Sequence, residues 1–220
     1  LARLNTDGSV DEGFAPCFND TVLSVALQHD GRVVVGGHFN GIGCKGMGTF
    51  ERNFVGRLDP DGSVDASFNP CANTWVNAVA CQPDGKVLLG GWFTSLGSGP
   101  GTTPCSHIGR TNPDGSVDDA FNPGANSSVD AITLRPDGRI VVGGWFTSLG
   151  GGRWGTAPRS YVGCLHPDGS IDAAFDPGAD CGVECFAVQA DDRTLVGGWF
   201  TRLGGGGTGT TPRNNIGRIV

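Results

Sequence analysis

The stretch Val76–Phe93, VNAVACQPDGKVLLGGWF, decides how the rest of the chain is read. Two runs rich in β-branched and aliphatic residues flank Asp84-Gly85, the dipeptide that most readily supplies the positive φ of a tight hairpin turn. The reading is a β-hairpin. The same hairpin recurs around Asp30-Gly31 and Asp137-Gly138, and in degenerate form at Asp191-Asp192. Each copy ends in a glycine pair: Gly36-Gly37, Gly90-Gly91, Gly143-Gly144 and Gly197-Gly198.

A second Asp-Gly turn repeats with it, at Asp7, Asp61, Asp114 and Asp168, in steps of 54, 53 and 54 residues. A fixed period of this length marks a repeat architecture. After the hairpin, a glycine-rich loop leads to a third strand (HIGRTN, His107–Asn112). The second turn then leads to a short fourth segment, SVDDAFNP, with its aromatic at Phe14, Phe68, Phe121 and Phe175. Helical periodicity is absent. The expectation is an all-β, β-propeller-type array of four repeats, about four antiparallel strands each, in a single domain over 1–220. Repeats phased on the first turn run approximately 1–54, 55–107, 108–161 and 162–215, with 216–220 beginning a further strand.

The first strand of each repeat is two-sided. Val25, Val79, Ile132 and Phe186 lie on one face, and Ser24, Ala78, Ala131 and Cys185 on the other. Bulky and small faces suit a sheet covered on both sides by neighbouring blades, with the small side toward a crowded centre.

The phrases LNTDGSVDEGF, LDPDGSVDASFNP, TNPDGSVDDAFNPGAN and LHPDGSIDAAFDPGAD, each followed by the hairpin, resemble the bacterial delta-60 repeat family. The resemblance spans essentially the whole chain. It implies a β-propeller domain of unknown function in large bacterial surface or secreted proteins, with no activity assigned. The glycine loops here are longer than a minimal repeat, and the cysteines lie outside the family's motif.

Composition narrows the function classes. The chain has 39 Gly and 13 Pro in 220 residues, which points to many tight turns, and a net charge of −7. No basic stripe invites nucleic acid, and no apolar run of about 18 residues suits membrane insertion. Because it starts at Leu1 and stops within a strand phrase, the chain reads as a processed or excised part of something longer. Eight cysteines without metal-type spacing favour disulfides in an oxidising compartment.

Cys17 and Cys71 hold one position in the loop before the first strand. Cys44 and Cys105 lie in the glycine loops of the same repeats, and both positions lose cysteine together in repeats three and four. The expected bridges are Cys17–Cys44 and Cys71–Cys105, with Cys181 and Cys185 pairing locally. Cys81 and Cys164 stand at strand positions, open to either a buried thiol or an inter-strand link.

Other chemistry is thin. Asp114 and Asp118 flank a glycine in faint likeness to a calcium loop, and a turn with a solvated carboxylate is the plainer account. No metal, cofactor or catalytic residue is expected, since no nucleophile, phosphate-loop or metalloprotease motif is present. Asn19 (NDT) and Asn126 (NSS) are glycosylation sequons. Trp92, Trp145 and Trp199, with His38 in the remaining (first) copy, follow the glycine pair beside a repeated Phe and read as packing. Trp75 and Trp154 fall off the pattern and are the residues expected to touch a ligand.

The third-strand phrase occurs five times (LARL, FVGRL, HIGRT, YVGCL, NIGRI) against four hairpins, one strand more than a closed four-bladed ring can place. An unfilled sheet edge invites pairing with another chain. The functional expectation is a non-catalytic extracellular or cell-surface structural protein that self-associates head-to-tail into a fibre or array. The alternative is a lectin-like propeller whose partner is a glycan.

Overall fold

In a computed structural model, residues 1–43, 50–97 and 102–220 are described, and all their regular structure is β. The diagnostic hairpin forms as read. Its inner strand β6 (Val76–Cys81) pairs antiparallel with β7 (Val87–Gly91), and β10 (Ile108–Thr111) adds to β7's other edge. Gly85 has φ +83°, and at the degenerate copy Asp192 takes φ +62° in its place.

The other three blades repeat this sheet. They comprise β1 (Val22–Leu27), β2 (Val33–Gly37) and β5 (Val55–Leu58); β11 (Val129–Leu134), β12 (Ile140–Gly144) and β15 (Val162–Leu165); and β16 (Val183–Val188), β17 (Thr194–Gly198) and β20 (Ile216–Ile219). Two-residue hairpins flank each sheet: β3 (Gly41–Ile42) with β4 (Phe50–Glu51), β8 (Ser95–Leu96) with β9 (Thr103–Pro104), β13 (Ser148–Leu149) with β14 (Ala157–Pro158), and β18 (Arg202–Leu203) with β19 (Thr211–Pro212). The expected fourth strand is reduced to single bridges such as Leu58–Val64 and Thr111–Val117.

The blade is out of phase with the sequence repeat. The boundary at 54/55 separates β5 from β2, yet the two are hydrogen-bonded neighbours in one sheet.

Successive blades stack face to face. Val34 and Val55 of the first meet Val76, Val79 and Leu89 of the second. Leu88 and Ile108 of the second meet Val129 and Val142 of the third. Val141 and Val162 of the third meet Val183 and Val196 of the fourth. The small residues of the inner strands serve this stacking and not a crowded centre: Ser24 Oγ accepts a 3.0 Å hydrogen bond from Val79 N of the next blade.

The glycine pair makes the stacking possible. A Cβ on Gly36 would sit 2.7 Å from Val76 Cγ1, one on Gly90 2.8 Å from Val129 Cγ1, and one on Gly143 2.5 Å from Val183 Cγ1. The first glycine is therefore the socket for the following blade. The second glycine lies against its own blade: a Cβ at Gly91 would collide with the Trp75 carbonyl. At Gly197 no following blade fills the socket, and a Cβ would lie 2.6 Å from the exposed Cys185 Sγ and 3.8 Å from the Asn215 carbonyl.

At the outer edge an arginine clamps two blades. Arg57 bonds Asp65 through Nε (2.8 Å) and Nη2 (2.7 Å), lies 4.3 Å over the Phe68 ring, and donates to the Pro113 carbonyl of the next blade at 2.7 Å. Arg110 repeats this with Asp118, Phe121 and Pro167, and Arg3 with Asp11, Phe14 and Pro60. Cys164 occupies the arginine's place in the next copy, and there Arg139 reaches Asp172 at 2.9 Å. Burial opposes charge on Asp65, but hydrogen bonds from Ser67 and Arg57 outweigh it and hold its pKa down to about 2.

The arc does not close. β1, β6, β11 and β16 pack in succession, but β16 does not return onto β1 in the same way. Residues Leu1–Phe14 form the outer edge of a position before the first blade, bridged by Leu4–Val10.

Two outcomes are expected. Gly90→Ala should lose about 1–3 kcal/mol by forcing the second and third blades apart, whereas Gly197→Ala, which displaces only the exposed Cys185 thiol, should lower the urea midpoint less. Equal losses would refute the socket. For Asp65, a folded pKa below the unfolded value means stability that is present above about pH 4 and lost as pH falls toward about 2. Asp65→Asn should remove roughly 2 kcal/mol at neutral pH and flatten that acid limb in pH-dependent melting curves.

Candidate functional site

Each inner strand carries a β-bulge at its second residue, where register slips between Val22/Ser24, Val76/Ala78, Val129/Ala131 and Val183/Cys185. Bulges re-aim side chains. Here they turn Leu23, Asn77, Asp130 and Glu184 toward one cleft of about 360 Å³. His38, Trp75 and Trp92 complete its walls.

The aromatic walls come from the residue after each glycine pair and the one before the inner strand. Trp75 stacks on His38 with ring centroids 4.3 Å apart and planes at 29°. Trp92 meets His107 edge-on at 6.4 Å, and Trp145 meets Tyr161 likewise. The Gly-Gly-aromatic tryptophans are thus not packing residues: Trp92, Trp145 and Trp199 are exposed, while the next residue in each copy, Phe93, Phe146 and Phe200, is wholly buried. Adjacent extended residues face opposite ways, so only one of the two can enter the core.

Asp130 is the fixed polar point of the cleft. Asn77 Nδ2 donates to its Oδ1 at 2.5 Å and Ser128 Oγ to its Oδ2 at 3.0 Å. Burial pushes its carboxyl pKa up against those bonds. Burial likewise lowers the His107 pKa, against a contact with the Gly91 carbonyl and the charge of Asp130. Glu184 Oε1 accepts from Trp145 Nε1 at 3.2 Å.

Of the two tryptophans expected at a ligand, Trp75 belongs to this cleft and Trp154 does not. Trp154 packs at the Gly169 turn, with its Nε1 shielded and unpartnered. Sequence reading missed Asn77, Asp130 and Glu184. Their signal was a column that changes chemistry between copies (Leu, Asn, Asp, Glu) inside an otherwise uniform strand.

The sequon asparagines have a structural task. Asn19 Oδ1 accepts from Asn40 N and Gly41 N, and Asn126 Oδ1 from Thr147 N and Ser148 N. Asn73 and Asp180, which are not in sequons, hold the same turn. The side-chain nitrogens of Asn19 and Asn126 are also engaged, with Asn40 and Thr147. Asp114 and Asp118 do not converge: the first closes its own turn on Ser116, and the second faces Arg110 and Lys86. Among the described residues no cluster suits a metal ion.

Cys17 is disulfide-bonded, and its expected partner Cys44 lies outside the described residues. The expected Cys71–Cys105 and Cys181–Cys185 bridges are not formed; all four are free thiols. The loops do meet, as Gly97 N donates to the Cys71 carbonyl at 2.9 Å, but each thiol has its own surroundings. Cys71 Sγ turns to Asn69 Oδ1, while Cys105 sits in the core beneath Gly109. Cys181 packs into the core between the last two blades, and Cys185 projects from β16 onto the exposed end face. Cys81 and Cys164 are thiols as well. Burial pushes the pKa values of Cys81, Cys105 and Cys164 up to about 11.

The repeats match the family described as a domain of unknown function (DUF5122) β-propeller over residues 1–14, 28–68, 82–121 and 135–175, more than half of the chain. No curated protein matches. A solved structure of a protein of unknown function from Bacteroides caccae is similar at 16% identity and a TM-score of 0.48, covering 89% of this chain and 60% of that one. The chain therefore spans three fifths of that protein's length.

In a native-state thiol titration Cys185 should react first, with Cys105 and Cys164 silent until urea unfolds the chain. Peptide mapping that recovers a Cys71–Cys105 disulfide would overturn the assignment.

Proposed function

This chain belongs to the DUF5122 β-propeller family, and we propose that it is a non-catalytic structural repeat protein of the cell surface or extracellular space that joins end to end with copies of itself. The observation carrying this reading is that its two end faces are the two halves of a contact made three times within the chain. At one end, Val25 and Leu27 are 48% and 71% exposed beside a cleft of about 190 Å³, although Val79 and Ile132, which correspond to Val25, pack on a preceding blade. At the other end, Ile216 is 65% exposed, although the corresponding Val55, Ile108 and Val162 are fully buried under a following blade. The Gly197 socket is open on the same face.

Val22 and Val25 of a second copy are the residues that correspond to the in-chain occupants of such a socket. Leu1–Phe14 already fills the outer part of the berth, which favours a contact through the inner strands, β16 of one copy against β1 of the next. Such a heterologous contact propagates when it does not close on itself, which yields filaments. Burial of apolar surface supplies the drive, at about 25 cal/mol per Å². The disulfide at Cys17 accords with an oxidising compartment.

Sedimentation of the wild-type chain should show association that grows with concentration. Gly197→Leu and Val25→Asp, each on an opposite end, should abolish it while leaving the melting temperature within a few degrees. A wild-type chain that stays monomeric at high concentration would retire the proposal.

A further inference from the structure

The cleft at the bulges has a charge imbalance that the end-to-end reading does not use. Asp65, Asp118 and Asp172 each face a cation within 3 Å. Among the described residues, neither Asp130 nor Glu184 pairs with a Lys or Arg, and the titratable ring acting on Asp130 is His107, whose own pKa burial lowers. Asp130 is held by neutral donors alone, one of them on Ser128, a fully buried residue. The indoles of Trp75 and Trp92 line the same cleft, and among the described residues no Lys or Arg does.

From this geometry we infer that the cleft is a binding site for a small organic ammonium ion, methylated or quaternary. An indole face attracts a cation through its quadrupole, most strongly where water is displaced, and a weakly hydrated methylated ammonium is the cation that yields its water most readily. The carboxylates of Asp130 and Glu184 supply the opposite charge, and Asn77 and Ser128 keep the first of them from turning away. Leu23 adds an apolar wall suited to methyl groups. The stack of His38 on Trp75 braces that indole. Burial raises the Asp130 pKa against its hydrogen bonds and the nearby His107 imidazole, and a bound cation would lower it again. A cleft of about 360 Å³ lies at the small end of ligand sites, which matches a compact ion better than an oligosaccharide.

The test uses the intact chain with tetramethylammonium and choline as probes, followed by titration calorimetry and tryptophan fluorescence, with glucose, galactose and sodium chloride as comparisons. Saturable binding of both ammonium probes is expected. It should weaken about tenfold or more in Asp130→Asn and in Trp75→Ala, and remain unchanged in Trp154→Ala. Circular dichroism melts establish that each variant is folded, and Trp75→Phe, which retains a ring face, should bind between Trp75→Ala and wild type. Three results would overturn the inference: no saturable ammonium binding, equal binding of the neutral sugars, or full affinity in folded Asp130→Asn.

Discussion

Everything in this molecule depends on how closely one blade can approach the next. The approach is set by a missing methyl group, at Gly36, Gly90 and Gly143, into which Val76, Val129 and Val183 of the following blade project. With that gap open, two apolar sheet faces meet and the valines and leucines between them become fully buried. The arginine clamps at Arg57 and Arg110 come second in this hierarchy. Their reach to Pro113 and Pro167 fits only when the blades are already seated, and they fix the outer edges while the sockets fix the inner ones.

The same close approach explains why function collects where it does. Turns, glycine pairs and phenylalanines are committed to stacking and repeat almost without change. The bulge residue is free of that duty because its side chain leaves the sheet toward the cleft. Leu23, Asn77, Asp130 and Glu184 can therefore differ in size and charge while β1, β6, β11 and β16 keep the same register. Four loosely constrained positions around one axis amount to a site whose chemistry can be altered without disturbing the frame.

Much of the fold was legible because its signals are local. Asp84-Gly85 needs no distant partner to favour a turn, and the repeat spacing is a matter of counting. What escaped was set by side-chain direction and long-range pairing. A period counted from Asp7 cuts between β2 and its partner β5, whereas reading the third strand onward from its hairpin keeps that pair together. The order Trp92-Phe93 does not say which ring enters the core; the path of the strand beyond Gly91 decides it. For Cys71 and Cys105, the meeting of the loops was readable from chain direction, but the Cys71 thiol bonds Asn69 while the Cys105 thiol lies under Gly109. Of the cleft, Trp75 stood out only as an aromatic off the pattern, and Asp130 came to light once the bulge was seen.

The open arc has a thermodynamic consequence. Inner strands pack extensively on their sequence neighbours, and among the described residues β16 does not pack on β1 in that way, so the blades couple as a line and not as a closed ring. In such a line each unit's stability is an intrinsic part plus one coupling to each neighbour, and units at the ends lack one coupling. The blade β16–β17–β20 forfeits a coupling on its outer side, and the blade β1–β2–β5 retains only the partial cover of Leu1–Phe14. Melting thus begins as fraying from the two ends toward the second and third blades, with amide exchange graded along the chain. A contact at either end would do more than join molecules: it would convert a fraying terminus into an interior unit, so that growth of the array and cooperativity of its fold increase together.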